Sequence, residues 1–153
     1  MSKKLYAIIE FNPNIKLEVI SDESFKIIEE ASKRNLALYR MRMRAFNYDY
    51  LKDNEMYIEI SNSYIFNEAE KILLDDHSIP VPSHIERLNK LQGLLEFIYN
   101  LEIVNKLSIY MCDDDYVEDD FESVNSNLSK FSSEMKEKLY QQISYAYKCV
   151  YQK

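Results

Sequence analysis

The chain has 153 residues, 46% hydrophobic and 29% charged, with 26 acidic against 19 basic side chains and a formal net charge of −7. Such a length and balance suit one domain with a core of ordinary size, and they exclude disorder of the whole chain. The single glycine, Gly93, rules out a G-x-G-x-x-G or Walker phosphate loop and leaves Asn, Asp and Ser to make nearly every turn.

Lys4 to Phe11 alternates, with Leu5, Ala7, Ile9 and Phe11 on one side and Tyr6, Ile8 and Glu10 on the other, which predicts a mostly buried strand. Asn12-Pro13-Asn14 is a turn. Ile15 to Ile20 is expected to complete a hairpin, with Ile15, Leu17 and Val19 facing one way and Lys16 and Glu18 the other. Ser21 then caps a helix with Asp22 and Glu23 in its first turn and Phe25, Ile28 and Ser32 on its inner stripe. Lys33-Arg34-Asn35 stops it.

Leu36 to Phe46 fits two patterns. Tyr39, Met43 and Phe46 would continue the helical stripe, whereas LYRMRMRAF alternates strictly. The strand is the favoured reading, because it gathers Arg40, Arg42 and Arg44 on a polar face and turns Met41 and Met43 inward. Met56 to Ile60 is a further strand with Met56, Ile58 and Ile60 inside, and Ser63 to Leu74 a short helix with Phe66, Ala69, Ile72 and Leu73 inward.

Pro80 and Pro82 stiffen the next connection. Ser83-His84-Ile85-Glu86 matches a capping box, opening a helix with Ile85, Leu88, Leu91, Leu95 and Ile98 on one face. Gly93 in its middle allows a close helix-to-sheet approach or marks a kink. Lys106 to Cys112 reads as a strand, with Leu107, Ile109 and Met111 on one face and Ser108, Tyr110 and Cys112 on the other. From Leu128 to Tyr151 the residues Leu128, Phe131, Met135, Leu139, Ile143, Tyr147 and Val150 recur at helical spacing, predicting a long closing helix. The expected architecture is a single α+β domain: a mostly antiparallel sheet of about five strands with helices packed on one face.

The N-terminus lacks a signal-peptide pattern, and no run approaches the roughly 18 apolar residues of a membrane span, so a cytoplasmic protein is expected. Cys112 and Cys149 form no C-x-x-C pair and are expected as buried thiols.

Chemistry-bearing patterns are few. His77 and His84 are separated by Pro80 and Pro82, which exclude one continuous helix between them, and no G-x-S-x-G sequence raises one serine above the others. The densest feature is the run from Asp113 to Glu122. It holds seven carboxylates and no Lys or Arg, so the remainder of the chain balances at 19 acids against 19 bases. As an EF-hand it fails: counting from Asp113, Glu118 stands where Gly is required and Val124 where Glu is required. Like charges so crowded are either a solvated, solubilising loop or a surface kept for a cationic partner. Tyr110, Tyr116 and Phe121, interleaved with the acids, favour the partner. Arg40, Arg42 and Arg44, flanked by Tyr39 and Phe46, have the composition of a nucleic-acid surface, but the net charge opposes it and pairing with acids of the same molecule is the plainer account.

A helix over His84 to Asn105, the strand KLSIYMCDDD, the acidic loop VEDDFESV and a closing helix, in a small, acidic, glycine-poor α+β chain, resemble the immunity proteins of bacterial contact-dependent inhibition and polymorphic toxin systems. The likeness covers about the last 70 residues. It implies a protein without catalysis, cofactor or metal, whose partner is a cognate toxin, the C-terminal domain of a large secreted protein and often a basic nuclease. The residues expected to meet that toxin are Asp113, Asp114, Asp115, Glu118, Asp119 and Asp120, with Tyr116 and Phe121 as packing anchors. Two other classes stay open: a nucleic-acid or regulatory binding module using the Arg40 to Arg44 strand, and a metal-dependent enzyme.

Overall fold

The computed structural model describes residues 3–36, 38–43, 51–60, 82–113, 121–124, 127–135 and 146–153. Among them, the elements run β1 (Lys3–Phe11), α1 (Leu17–Lys33), β2 (Leu38–Met43), β3 (Glu55–Ile60), α2 (Pro82–Tyr99), β4 (Val104–Asp113), β5 (Glu122–Ser123) and β6 (Ala146–Gln152). The strands form one sheet in the order β2-β3-β1-β4-β6-β5. Five strands pair antiparallel, and the two-residue β5 adds to β6 in parallel. The protein is an α+β fold built on a mostly antiparallel sheet.

Alternation decides which side of each strand enters the core. Leu5, Ala7, Ile9 and Phe11 of β1 stand in register with Ile60, Ile58 and Met56 of β3 and with Met111, Ile109, Leu107 and Val104 of β4. Tyr147, Cys149 and Tyr151 of β6 continue the same rows. All of these join one hydrophobic cluster with Ile20, Ile27 and Ala31 of α1 and Leu88, Leu91, Leu94, Leu95 and Ile98 of α2. Each fully buried leucine of α2 contributes about 1.5–3 kcal/mol.

Helix α1 begins earlier than the alternation of Ile15, Leu17 and Val19 suggests. Residues expected to complete a hairpin form its first turn instead, and Ser21 is an interior residue, not the cap. Lys16 is the N-cap residue and makes no side-chain cap bond, so the usual Ser, Asp or Asn signal is missing from this start. The inner stripe is rotated as well. Ile20, Ile27 and Ala31 are buried, with Ser24 between them donating to the Ile20 carbonyl at 2.7 Å, whereas Phe25 and Ile28 are 68% and 45% exposed. The helix ends where expected. Asn35 adopts φ 55°, its N–H meets the Ser32 carbonyl at 3.0 Å, and the Leu36 N–H meets that of Ala31 at 2.9 Å. This is a Schellman cap with asparagine in the left-handed position usually given to glycine. Asn14, at φ 68°, serves the turn after β1 in the same way.

Strand β2 settles the ambiguous segment as extended, with Met41 and Met43 packed against the core. Residues 44–46 and the expected helix from Ser63 to Leu74 lie outside the described residues. Helix α2 starts at Pro82, one residue before the expected Ser83 cap, a first-turn position where the missing proline N–H has no intrahelical role. The close approach at Gly93 is to α1 and not to the sheet: a Cβ there would come within 3.0 Å of Arg34 Nε. Arg34 is itself held by the Glu30 carboxylate and carbonyl. That hydrogen bond holds the Glu30 carboxyl below its usual range.

The long closing helix is overturned. Leu128–Lys130 is a 3-10 turn, residues 131–135 are helical, and Ala146–Gln152 is a strand. Tyr147 and Val150 fit a helical stripe, but the sequence AYKCVYQ alternates, and Ala146 and the last residues pair with β4 from Cys112 to Lys106. The final part of the likeness to immunity proteins, a terminal helix, is therefore replaced by β6. Beyond it Lys153 donates to the Leu101 carbonyl at 2.7 Å, and burial pushes its ammonium pKa down.

The left-handed Asn35 yields a stability prediction. Asn35→Ala should lower the unfolding free energy by about 1 kcal/mol, since alanine gains nothing locally to offset the left-handed conformation, while Asn35→Gly should be neutral or stabilising. Urea unfolding of the three proteins checks this order.

Candidate interaction surface

Strand β4 ends at Asp113, the first residue of the acid run, and from Leu107 to Cys112 it is buried on both faces. Leu107, Ile109 and Met111 face the core, while Ser108, Tyr110 and Cys112 are buried on the other face. Both thiols are buried, Cys112 on this second face and Cys149 on the core side, and no disulfide joins them. Asp113 closes β4 in register with Lys3 of β1. The run thus leaves the end of a strand that has hydrogen-bonded neighbours on both edges.

Its return is also fixed. Glu122 and Ser123 pair with Tyr147 and Lys148, and the Val124 N–H donates to the Lys148 carbonyl at 2.8 Å. Phe121, just before them, is half-buried and meets Tyr110 in a T-shaped pair, with centroids 5.3 Å apart and planes at 85°. Of the residues expected to meet a toxin, Phe121 is described in full and Asp113 by its backbone. Asp114, Asp115, Tyr116, Glu118, Asp119 and Asp120 lie outside the described residues.

Phe121 is the end of an aromatic row that sequence alone does not reveal. Tyr110 stacks on Tyr6 at 4.7 Å with planes 8° apart, and Tyr6 meets Tyr57 at 5.3 Å. The row crosses β3, β1 and β4 on the face opposite the core cluster, because Tyr6 stands opposite Tyr110 in register and diagonal to Tyr57, which lies two residues from its partner Glu59. The Tyr57 hydroxyl donates to Glu59 Oε2 at 2.9 Å, and Lys148 Nζ lies 5.4 Å from the centre of the Tyr110 ring. Alternation places each tyrosine on the second face, but only the strand order brings them together. The row's chemical effect is to brace the return of the acid run, since offset or edge-on rings prefer these separations.

Around β2 the register bears on the arginine strand. Arg40 is paired with Glu59 across β2 and β3, an acidic neighbour on the adjacent strand. Arg44 lies outside the described residues, as does His77. Among the described residues, no group of three or more His, Cys, Asp or Glu side chains is placed to hold a metal ion, and no helix is long and apolar enough to cross a membrane.

A double-mutant cycle on Tyr6→Leu and Tyr110→Leu should give a coupling of about 0.5–1.5 kcal/mol, the worth of a stacked pair beyond its area. Additive losses in chemical unfolding would show that the stack braces nothing. No protein-family model matches this sequence, and no curated protein resembles it at a significant level.

Proposed function

We propose that this chain is an immunity protein, which binds a cognate basic toxin through the acidic surface at 113–122 and so neutralises it. One observation supports this above the others: the whole excess of negative charge falls in a run that departs from a strand buried on both faces and returns to the sheet through Phe121 and β5. The sheet holds both ends of the run, Asp113 by its pairing with Lys3 and Glu122 by its pairing with Tyr147. A negative patch of that kind speeds encounter with a positively charged protein toward about 10⁸–10⁹ M⁻¹s⁻¹ at low salt, and pairs desolvated near the centre slow dissociation. Inhibition then needs no chemistry from this chain. Covering the active site of a nuclease, or a surface that the nuclease needs, is sufficient.

The test is to neutralise charge without changing shape. Replacing Asp114, Asp115, Asp119 and Asp120 by Asn should leave thermal unfolding within a few degrees of the parent, yet weaken affinity for the toxin encoded beside this chain by about a hundredfold or more. Calorimetric titration that returns the parent affinity would defeat the proposal.

A further inference from the structure

Helix α1 has three faces. Ile20, Ser24, Ile27 and Ala31 turn toward the core. A second, charged face carries Lys26 and Lys33, which lean onto Glu23 and Glu30 at 3.0 and 3.3 Å, Lys33 also reaching Glu29 at 3.6 Å. Between these faces lies an uncharged strip in which Leu17, Ser21, Phe25, Ile28 and Ser32 follow one another at steps of three and four residues, one line along a helix. Leu17 is 72% exposed and Phe25 and Ile28 are likewise exposed, so the strip presents three large apolar side chains to water. The fold does not require them there. Any good helix former would serve α1 as well at those positions, and contiguous exposed apolar groups beside a polar rim mark an interaction site.

From this we infer that the strip is a docking surface for a protein helix whose own apolar row is bordered by Lys or Arg. The border of the strip sets the sign of the partner. Glu18, Glu29 and Asp22 lie nearest to it on the solvent side, and among the described residues Glu18 and Asp22 have no ion-pair partner. A cationic border opposite would supply one. An antiparallel two-fold pairing of α1 with a second copy keeps each rim on its own side, so the same carboxylates would meet each other. An anionic lipid surface is repelled for the same reason. The inference stands on α1 alone and does not depend on the role of the 113–122 run.

The probe is a synthetic amphipathic peptide of about 18 residues, long enough for five helical turns. It has Leu along one face and Lys along both borders, with a matched peptide carrying Glu at the border positions. Titrated into the full-length, isotope-labelled chain, the Lys peptide should bind in the micromolar range and shift amide signals of Leu17–Lys33, while the Glu peptide should not bind. Phe25→Ser, at an exposed position, should weaken the Lys peptide about tenfold or more, and Glu18→Gln with Asp22→Asn should do likewise. The inference is overturned if the Lys peptide fails to bind, if its affinity survives Phe25→Ser, or if the shifted signals fall outside α1. It is equally overturned if sedimentation shows a dimer of this chain that Phe25→Ser abolishes, since the occupant is then a second copy.

Discussion

From Leu107 to Cys112, strand β4 has no face left for water. Leu107, Ile109 and Met111 sit in the core, Ser108, Tyr110 and Cys112 are buried behind them, and both edges are taken, by β1 from Lys3 to Phe11 and by β6 from Ala146 to Gln152. A strand so enclosed must satisfy every backbone donor and acceptor through its neighbours, which fixes its register against slippage. The placement of both ends of the acid run hangs on that register. It sets Tyr110 against Tyr6, delivers Asp113 to one end of the sheet, and sets the row to which β6 must bring Tyr147 and Lys148 for β5 to pair.

The loops are made without glycine, since Gly93 lies in α2, and asparagine takes its place. Asn14 and Asn35 take the left-handed conformation, Asn12 ties the first turn to the Glu102 carbonyl, and Asn54 donates to the Phe11 carbonyl. Asparagine tolerates that conformation because its short amide bonds locally to the backbone. Gly93 is kept for another purpose, the passage of the Arg34 side chain over α2.

How much of this was legible in the sequence follows from which signals are local. Alternation revealed β1, β3 and β4 with the correct inward residues, and it favoured a strand over a helix for β2. The stop at Asn35 was legible because its chemistry is local too. The start of α1 was not, since Lys16 makes no side-chain cap and Ile15, Leu17 and Val19 alternate by chance; once the start is misplaced, the buried stripe shifts from Ile20, Ile27 and Ala31 to Phe25 and Ile28. At the C-terminus two periods coexisted. Leu128, Phe131 and Met135 are helically spaced, and extending that spacing to Val150 concealed a strand whose partner lies some forty residues upstream. The acid run was visible by composition, but the bracing of its return by Phe121 on Tyr110, and the exposed strip of α1, needed the strand order and the helix rotation.

The central physical claim is that the acid run is tied to the sheet at both ends in the free protein. Native-state hydrogen exchange of the full-length chain measures this directly. Amides from Tyr110 to Cys112 should exchange only through global unfolding, and the Val124 amide, bonded to the Lys148 carbonyl, should be slowed at least about a hundredfold relative to an unstructured peptide. Exchange of Val124 at the unstructured rate, with Tyr110 to Cys112 still protected, would mean that the return of the run is loose, and the account of a fixed negative surface would be wrong.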